Sequence, residues 1–142
     1  MMDRVTIAEF FEKRDRAWQE HDTETLSASH TENGEIDSPL FGVLKGQEAI
    51  RKSYADWFRT FPDTEYHVRH LLIDGDRAAQ FIRITATQQY DFCGYKATGK
   101  RFDFNGSSMF LLSEGRIARE IRTYDFTGVL VQLGALKAKP SF

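Results

Sequence analysis

The spacing of apolar residues changes at Pro62, and this change limits the chain to a small set of folds. Upstream of Pro62, apolar side chains recur at helical intervals, whereas downstream they lie on strand-like segments separated by turn residues. This order predicts an α+β domain in which the helices pack on one face of a curved sheet. We expect residues 1–142 to form one such domain, because this length suffices for a single core.

Three helices are predicted upstream of Pro62. The first covers residues 6–21, where Thr6 and Glu9 form the pattern of a capping box. Asp22 is expected to cap a shorter helix that reaches about residue 30. The third covers residues 46–61 and ends before the proline that follows it. All three are amphipathic or short, so they need a sheet to cover their apolar faces.

The strand-like segments are separated by glycine-containing turns. They are residues 34–40, 64–73, 77–92, 94–99, 101–112 and 116–126. From residue 64 onward this pattern predicts an antiparallel meander. Thr127–Gly134 is expected to form a brief final helix, followed by a frayed or partner-bound tail over about residues 135–142.

The composition excludes several classes of partner. The formal net charge is −2, so the chain has no basic surplus with which to neutralise a nucleic acid backbone. Cys93 is the only cysteine and cannot form an intrachain disulfide. The first sixteen residues lack the continuous apolar stretch of a signal peptide or membrane span. We therefore expect a cytoplasmic protein with no nucleic acid or membrane partner.

No cofactor motif is visible in the sequence. His21, His30, His67 and His70 have no spacing with carboxylates or cysteine that resembles a zinc or iron site. The glycines fall at turns rather than in a phosphate-binding loop. We expect neither a metal nor a cofactor.

The segment IDSPLFG carries polar residues where a half-buried strand should be apolar. Asp37 precedes Ser38 and Pro39, and neighbouring strand residues point to opposite faces. Asp37 therefore reaches the same face as Ser38 only if the strand shifts or kinks before the proline. It has two interpretations, a general base or the cap of a local turn.

Several motifs together resemble the SnoaL-like branch of the nuclear transport factor 2 superfamily. They are AWQEHD, IDSPLFG, GQEAIRKSYADWFRTFPD, DGDRAA, TGKRFDFNG, EGRI and, most specifically, YDFTGVLVQLG. The resemblance covers nearly the whole chain. It implies a cone-shaped, cystatin-like α+β fold with a deep apolar pocket, a hydrophobic small-molecule ligand, and a homodimer formed through the outer sheet face. Members include polyketide cyclases, ketosteroid isomerase, limonene epoxide hydrolase and non-enzymatic binding domains, so the fold alone does not fix the function.

The resemblance also supplies candidate catalytic residues. The catalytic aspartate of ketosteroid isomerase corresponds to Ser38 here, with Asp37 one step earlier. Arg83 matches the arginine of the epoxide hydrolase, but Thr85 stands where that enzyme has its first acid. Asp125 is the acid carried over to a cyclase-like site. The resulting catalytic set is Asp125, Asp37, Arg122, Arg83 and Tyr124.

The expected reaction is acid/base chemistry on an apolar carbonyl compound, either aldol cyclisation or isomerisation. Asp125 or Asp37 would remove the proton, while Tyr124 or an arginine stabilises the enolate oxygen. The expected substrate-binding residues are Trp18, Phe41, Tyr54, Trp57, Phe58, Gln88, Phe104 and Ser108. The alternative is a non-catalytic domain that only binds a small molecule or a protein.

Simpler structural roles are also open to these residues. Asp125 can cap the final helix, and Arg122 can lie on a solvated strand face together with Glu120 and Tyr124. If that face is the inner one, the arginine needs a partner, because an unpaired buried charge costs several kcal/mol. Arg14 lies among apolar neighbours and is expected to extend its head group to water.

Overall fold

The computed structural model describes residues 2–137 and confirms an α+β fold. Its elements are α1 (Arg4–Glu20), α2 (Thr23–Ala28), β1 (His30–Ser38), β2 (Gly42–Lys45), α3 (Gln47–Thr60), β3 (Glu65–Asp74), β4 (Arg77–Thr87), β5 (Arg101–Ser113), β6 (Arg116–Tyr124) and α4 (Phe126–Gln132). Most of the tail predicted for about residues 135–142 lies outside the described residues.

The strands form one mixed six-stranded sheet in the order β2-β1-β6-β5-β4-β3. From β3 to β6 each strand pairs antiparallel with the next, which confirms the predicted meander. Strand β1 lies next to β6, on the side opposite β5, and pairs with it in parallel. The turn between β5 and β6 uses Glu114 and Gly115, both with positive φ (53° and 78°), as a tight hairpin of this handedness requires.

The first helix starts earlier than the capping-box pattern predicts. Its N-cap is Asp3, whose carboxylate accepts a hydrogen bond from the backbone N–H of Thr6 at 2.8 Å. Thr6 therefore lies inside the first turn rather than at the cap. The cap predicted at Asp22 is confirmed, since its carboxylate accepts from the backbone N–H of Thr25 at 3.0 Å.

Three strand predictions are corrected by the structure. Strand β1 begins at His30 rather than at residue 34, and it is followed by the short strand β2, which the sequence pattern did not reveal. A Cβ at Gly34 would lie 3.0 Å from the backbone oxygen of Thr31 and 3.2 Å from that of Ile117, so glycine allows β1 to pass close to β6. Strand β4 ends at Thr87 rather than at residue 92, and the segment 94–99 is a loop next to an isolated bridge between Phe92 and Tyr95.

The helices cover the concave face of the sheet with aromatic contacts. Trp18 of α1 stacks on Tyr66 of β3, with ring centroids 4.6 Å apart and planes 8° apart, and Phe58 of α3 meets the same tryptophan edge-on. At the other end of α1, Phe11 packs on Phe110 of β5. Trp18 and Tyr66 also line the candidate site, whereas Phe11 and Phe110 do not.

Candidate active site

A cavity opens between helices α1 and α3 and the concave face of the sheet. The empty space between its walls is about 640 Å³ when the open solvent at its mouth is counted. Its walls are mainly aromatic and aliphatic, and its polar groups come mostly from β5 and β6 together with α1 and α3. The lining residues are Arg14, Trp18, Leu40, Phe41, Ser53, Tyr54, Trp57, Tyr66, Ile82, Ile84, Phe104, Gly106, Ser107, Ser108, Glu120, Arg122 and Tyr124.

A buried carboxylate, Glu120, organises the polar part of this cavity. Its side chain accepts from Arg122 Nε at 2.7 Å, from Arg14 Nη2 at 3.1 Å and from Ser108 Oγ at 3.2 Å. Arg122 lies two residues further along β6, on the same face, and Ser108 is the neighbour of Arg122 on β5. The strand register therefore brings these three groups together without any loop.

Arg14 completes the cluster from helix α1. Its side chain is only 2% exposed and lies over the ring of Phe110, with 4.9 Å between Cζ and the ring centroid. Besides Glu120, its guanidinium donates to Tyr54 Oη at 3.4 Å and to Gln80 Oε1 at 3.5 Å. The prediction that Arg14 extends to water is wrong, because a carboxylate and two further acceptors lie within reach on the concave side.

The charges in this cluster shift one another's protonation. Burial alone would raise the pKa of Glu120, but the positive charges of Arg122 and Arg14, helped by His30, outweigh it and lower the pKa to about 2. Burial likewise opposes the charge on Arg14 and Arg122, but Glu120 raises the pKa of both above the usual arginine value. The cluster is thus a carboxylate held ionised between two guanidiniums.

His30 lies behind the same carboxylate. Its ring is fully buried, and Nε2 is 3.8 Å from Glu120 Oε1. Within residues 2–137, neither ring nitrogen has a hydrogen-bond partner. Burial lowers the pKa of His30 to about 4, with Arg14 and Arg122 acting in the same direction and Glu120 opposing them. The imidazole is therefore neutral at pH 7.

The sequence matches the profile of the SnoaL-like polyketide cyclases over residues 8–133. The chain belongs to this family. No significant match is found among curated protein sequences.

Solved structures of other proteins share the fold of this SnoaL-like chain. TsrD from Streptomyces laurentii superposes with a TM-score of 0.85 at 26% identity, covering 96% of this chain and 100% of TsrD. AclR from Streptomyces galilaeus, described as a candidate hydroxylase, has a TM-score of 0.83 at 21% identity, with 95% and 100% covered. IdmH from Streptomyces antibioticus, described as a candidate polyketide cyclase, has a TM-score of 0.74 at 22% identity, with 89% and 97% covered. At these identities the last two neighbours show the fold alone.

Asp125, the acid carried over from the family resemblance, is the N-cap of α4. It is exposed, and its Oδ1 accepts from the backbone N–H of Gly128 at 2.8 Å. A Cβ at Gly128 would lie 2.4 Å from Asp125 Oδ2, so glycine leaves the room this carboxylate occupies. The Asp and Gly of the YDFTG motif therefore build a helix start, and Asp125 does not line the cavity.

Asp37 and Arg83 lie on the outer face of the sheet. Asp37 is in regular register with Val43 on one side and Ile121 on the other, so β1 does not shift in the way that would bring Asp37 inward. Arg83 forms a two-pronged ion pair with Asp103, at 2.8 and 2.6 Å, and its side chain is 42% exposed. The structure does not bring these groups together with Arg122 in the cavity.

Arg122 and Tyr124 line the cavity from β6, as the catalytic interpretation requires. Tyr124 Oη is 3.2 Å from Ser38 Oγ, and Ser38 is the buried neighbour of Asp37 in IDSPLFG. The polar character of that segment is thus explained by a serine that faces inward and an aspartate that faces outward.

Most of the expected substrate-binding residues line the cavity: Trp18, Phe41, Tyr54, Trp57, Phe104 and Ser108. Phe58 and Gln88 do not. Phe58 lies behind the wall, in edge contact with Trp18. Gln88 is buried outside the cavity, where its amide holds the 88–100 loop by donating to the backbone oxygens of Tyr95 and Lys96 and accepting from Thr98 Oγ1.

Glu120 and His30 were not predicted as site residues. Strict alternation from the buried Ile117 would place Arg119 and Ile121 inside and Glu120 outside. The register between β5 and β6 shifts by one residue at this point, since Leu112 pairs with Ile117 but Leu111 pairs with Arg119. This β-bulge turns Glu120 and Arg122 inward, and no turn residue in the sequence marks it.

Within residues 2–137, no three histidine, cysteine or acidic side chains gather closely enough to hold a metal ion. No helix in that range has the length and apolar character needed to span a bilayer.

Proposed function

We propose that this SnoaL-like protein is an enzyme that moves a proton next to the carbonyl of an apolar small molecule, without a cofactor, to achieve an aldol cyclisation or an isomerisation. The supporting observation is the position of Glu120 and Arg122, an ionised carboxylate and a guanidinium that share the polar end of an otherwise aromatic cavity. A carbonyl compound can place its oxygen at the guanidinium and its acidic C–H near the carboxylate.

The proposed reaction begins with removal of a proton from the carbon beside the carbonyl. The C–H electron pair forms the carbon–carbon double bond of an enolate, and the negative charge moves to the oxygen, where Arg122 and Tyr124 stabilise it. In a cyclisation, the enolate carbon attacks a second carbonyl of the same molecule and the resulting alkoxide takes the proton back. In an isomerisation, the proton returns to a different carbon.

We propose Glu120 as the base in place of Asp37 and Asp125, because it is the carboxylate that lines the cavity. Its low pKa makes it a weak proton acceptor while Arg122 is bonded to it. Arg122 is the strongest of the charges that lower this pKa. A substrate oxygen that draws the charge of Arg122 toward itself would weaken this effect and make Glu120 more basic, so proton removal is coupled to substrate binding.

Deuterium exchange tests this proposal with 2-tetralone, an apolar ring ketone with an acidic C–H, followed by NMR in D2O. The wild type should accelerate exchange over buffer, and Glu120→Gln should reduce the acceleration by roughly 100-fold or more. The matched control is Glu35→Gln, a carboxylate on the outer face of β1, near Lys45 at 3.9 Å.

Other outcomes of the exchange experiment reject the proposal in different ways. Loss of exchange in Asp37→Asn or Asp125→Asn, but not in Glu120→Gln, would return the role of base to those acids. Wild-type protein that binds the ketone yet exchanges it no faster than buffer does would favour the binding-only alternative.

We also propose that the protein is a homodimer through the outer face of the sheet. Neighbouring strands place Leu72, Ala79, Met109 and Ile121 in one apolar row across this face, and Asp37 on β1 separates this row from Val43 on β2. Leu72 and Met109 are 58% and 42% exposed, and exposed apolar side chains in one row favour a protein contact. The presence of a single cysteine supports the further proposal of a cytoplasmic location.

Light scattering tests the dimer at micromolar concentration. Met109→Asp, at the centre of the row, should convert the dimer to a monomer, while Lys52→Glu on the helical side should not. A monomeric wild type would refute the dimer.

A further inference from the structure

The hydroxyl of Tyr54 stands between the two guanidiniums of the cluster. Tyr54 comes from α3, is 2% exposed and lines the cavity. Its oxygen is 3.0 Å from Arg122 Nη2 and 3.4 Å from Arg14 Nη2. Because a guanidinium can only donate hydrogen bonds, the oxygen of Tyr54 is the acceptor in both contacts.

Within residues 2–137, the proton of this hydroxyl has no acceptor. Among the hydrogen bonds of residues 2–137, Tyr54 Oη takes part only in these two, as the acceptor. Buried hydroxyl protons are normally donated, since an unmade hydrogen bond in the interior costs free energy. The O–H of Tyr54 is therefore free to donate to a ligand in the cavity.

A second buried tyrosine in the same wall shows the contrast. Tyr66 is 5% exposed and also lines the cavity, but its hydroxyl donates to Gln80 Oε1 at 2.7 Å. Gln80 in turn donates to Asp15 Oδ1 at 2.8 Å. The proton of Tyr66 is thus committed within the protein, whereas that of Tyr54 is not.

The two cationic donors also make Tyr54 a stronger donor. Hydrogen bonds from charged groups to the phenol oxygen polarise its O–H, and chains of hydrogen bonds strengthen one another. The effect is greatest toward an acceptor that carries negative charge. Arg122 adds to the preference for a negatively charged acceptor, because its guanidinium lines the same cavity.

We propose that Tyr54 donates a hydrogen bond to an oxygen of the ligand, and that the ligand is an apolar ring compound whose oxygen is, or becomes, anionic at this position. The ring would lie against the aromatic wall that includes Trp57 and Phe104. The inference rests on the proposed function, because it names the group that receives the developing charge on the substrate oxygen.

The test compares 2-naphthol with naphthalene, which has the same rings without the oxygen. The absorbance of bound 2-naphthol reports whether it is ionised, and titration gives both affinities. The wild type should favour the naphtholate anion. Tyr54→Phe should weaken naphtholate binding by roughly 10- to 100-fold, as expected for loss of a hydrogen bond to a charged group, and change naphthalene binding by less than about threefold.

Tyr66→Phe is the matched control, because it removes a buried hydroxyl whose proton is already used. It should leave the ratio of naphtholate to naphthalene affinity within about threefold of the wild type. Equal effects of Tyr54→Phe and Tyr66→Phe would overturn the inference, as would a wild type that binds neither probe at millimolar concentration. If Tyr54→Phe does not fold, the absorbance of naphthol bound to the wild type decides: an ionised probe supports the inference and a neutral one refutes it.

The result is separable from the exchange experiment. A wild type that selects naphtholate through Tyr54 but does not exchange the ketone proton would retain this inference and reject the proposed enzyme. A wild type that exchanges the ketone proton, with no effect of Tyr54→Phe on naphtholate binding, would retain the enzyme and reject the role of Tyr54.

Discussion

His30 should make the protein lose stability in mild acid. Folding lowers its pKa from 6.5 to about 4, so the native state resists a proton that the unfolded chain accepts. For a lowered histidine pKa, the stability is fully present above pH 6.5 and is lost as the pH falls from 6.5 to 4. The groups that face the ring are Glu120, which favours protonation, and Arg14 and Arg122, which oppose it.

The size of the effect follows from the two pKa values. A difference of 6.5 − 4 = 2.5 corresponds to roughly 3 kcal/mol over the whole range, of which roughly 2 kcal/mol falls between pH 7 and pH 4.5. Urea unfolding of the wild type and of His30→Leu at these two pH values measures it. The difference in free energy of unfolding between the two pH values should be smaller by roughly 2 kcal/mol in the variant.

A matched variant excludes a general effect of removing a histidine. His67→Leu changes a side chain that is 55% exposed on the sheet surface, and it should keep the pH dependence of the wild type. The reasoning is refuted if His30→Leu loses as much stability as the wild type between pH 7 and pH 4.5. That result would mean that the native imidazole accepts a proton as readily as the unfolded one.

Three further substitutions test the site from other directions. Asp125→Ala should lower the free energy of unfolding, measured with urea, by about 1 kcal/mol, because the cap to Gly128 is lost. Titration should show that its affinity for naphthalene stays within about twofold of the wild type. Arg14→Met should lower the free energy of unfolding by about 3 kcal/mol, because Glu120 loses a buried partner. The control Arg16→Met removes an exposed ion pair at 3.3 Å and should change the free energy of unfolding by less than about 0.5 kcal/mol. Gly106→Val should reduce naphthalene affinity by about tenfold, since it adds bulk to the cavity wall beside Tyr124. The positions given to these residues would be contradicted by an unchanged stability in Arg14→Met or an unchanged naphthalene affinity in Gly106→Val. A large loss of naphthalene affinity in Asp125→Ala would contradict them as well.

The fold was largely predictable because local signals determine it. The apolar stripe from Ile50 to Phe61 has helical spacing and ends before Pro62, and the structure confirms helix α3 over Gln47–Thr60. The start of α1 was predicted too late because both Asp3 and Thr6 can cap a helix, and the structure uses Asp3. Strand β2 was missed because its pairing with β1 depends on a partner strand rather than on its own four residues.

The candidate site was less predictable because strand faces depend on register. Asp37 was a candidate base or turn cap, and the base role required a shift in β1; its regular pairing turns it outward and turns Ser38 inward. Glu120 was placed on one strand face with Arg122 and Tyr124, but the sequence left open whether that face is solvated or inner, and the bulge near Ala118 turns it inward. In both cases one residue of register decides which side chain enters the cavity, and register is set by contacts between strands that are distant in sequence.

The proposed function places the ligand oxygen at the end of the cavity where Glu120, Arg122 and Tyr54 meet. The most direct measurement is a crystal structure of the protein with 2-naphthol bound. The account predicts that the naphthol oxygen lies within hydrogen-bond distance, about 3.2 Å or less, of Tyr54 Oη and beside the guanidinium of Arg122, with its rings inside the aromatic wall. A naphthol oxygen beside Asp37 or Asp125, or rings bound outside the cavity, would contradict it.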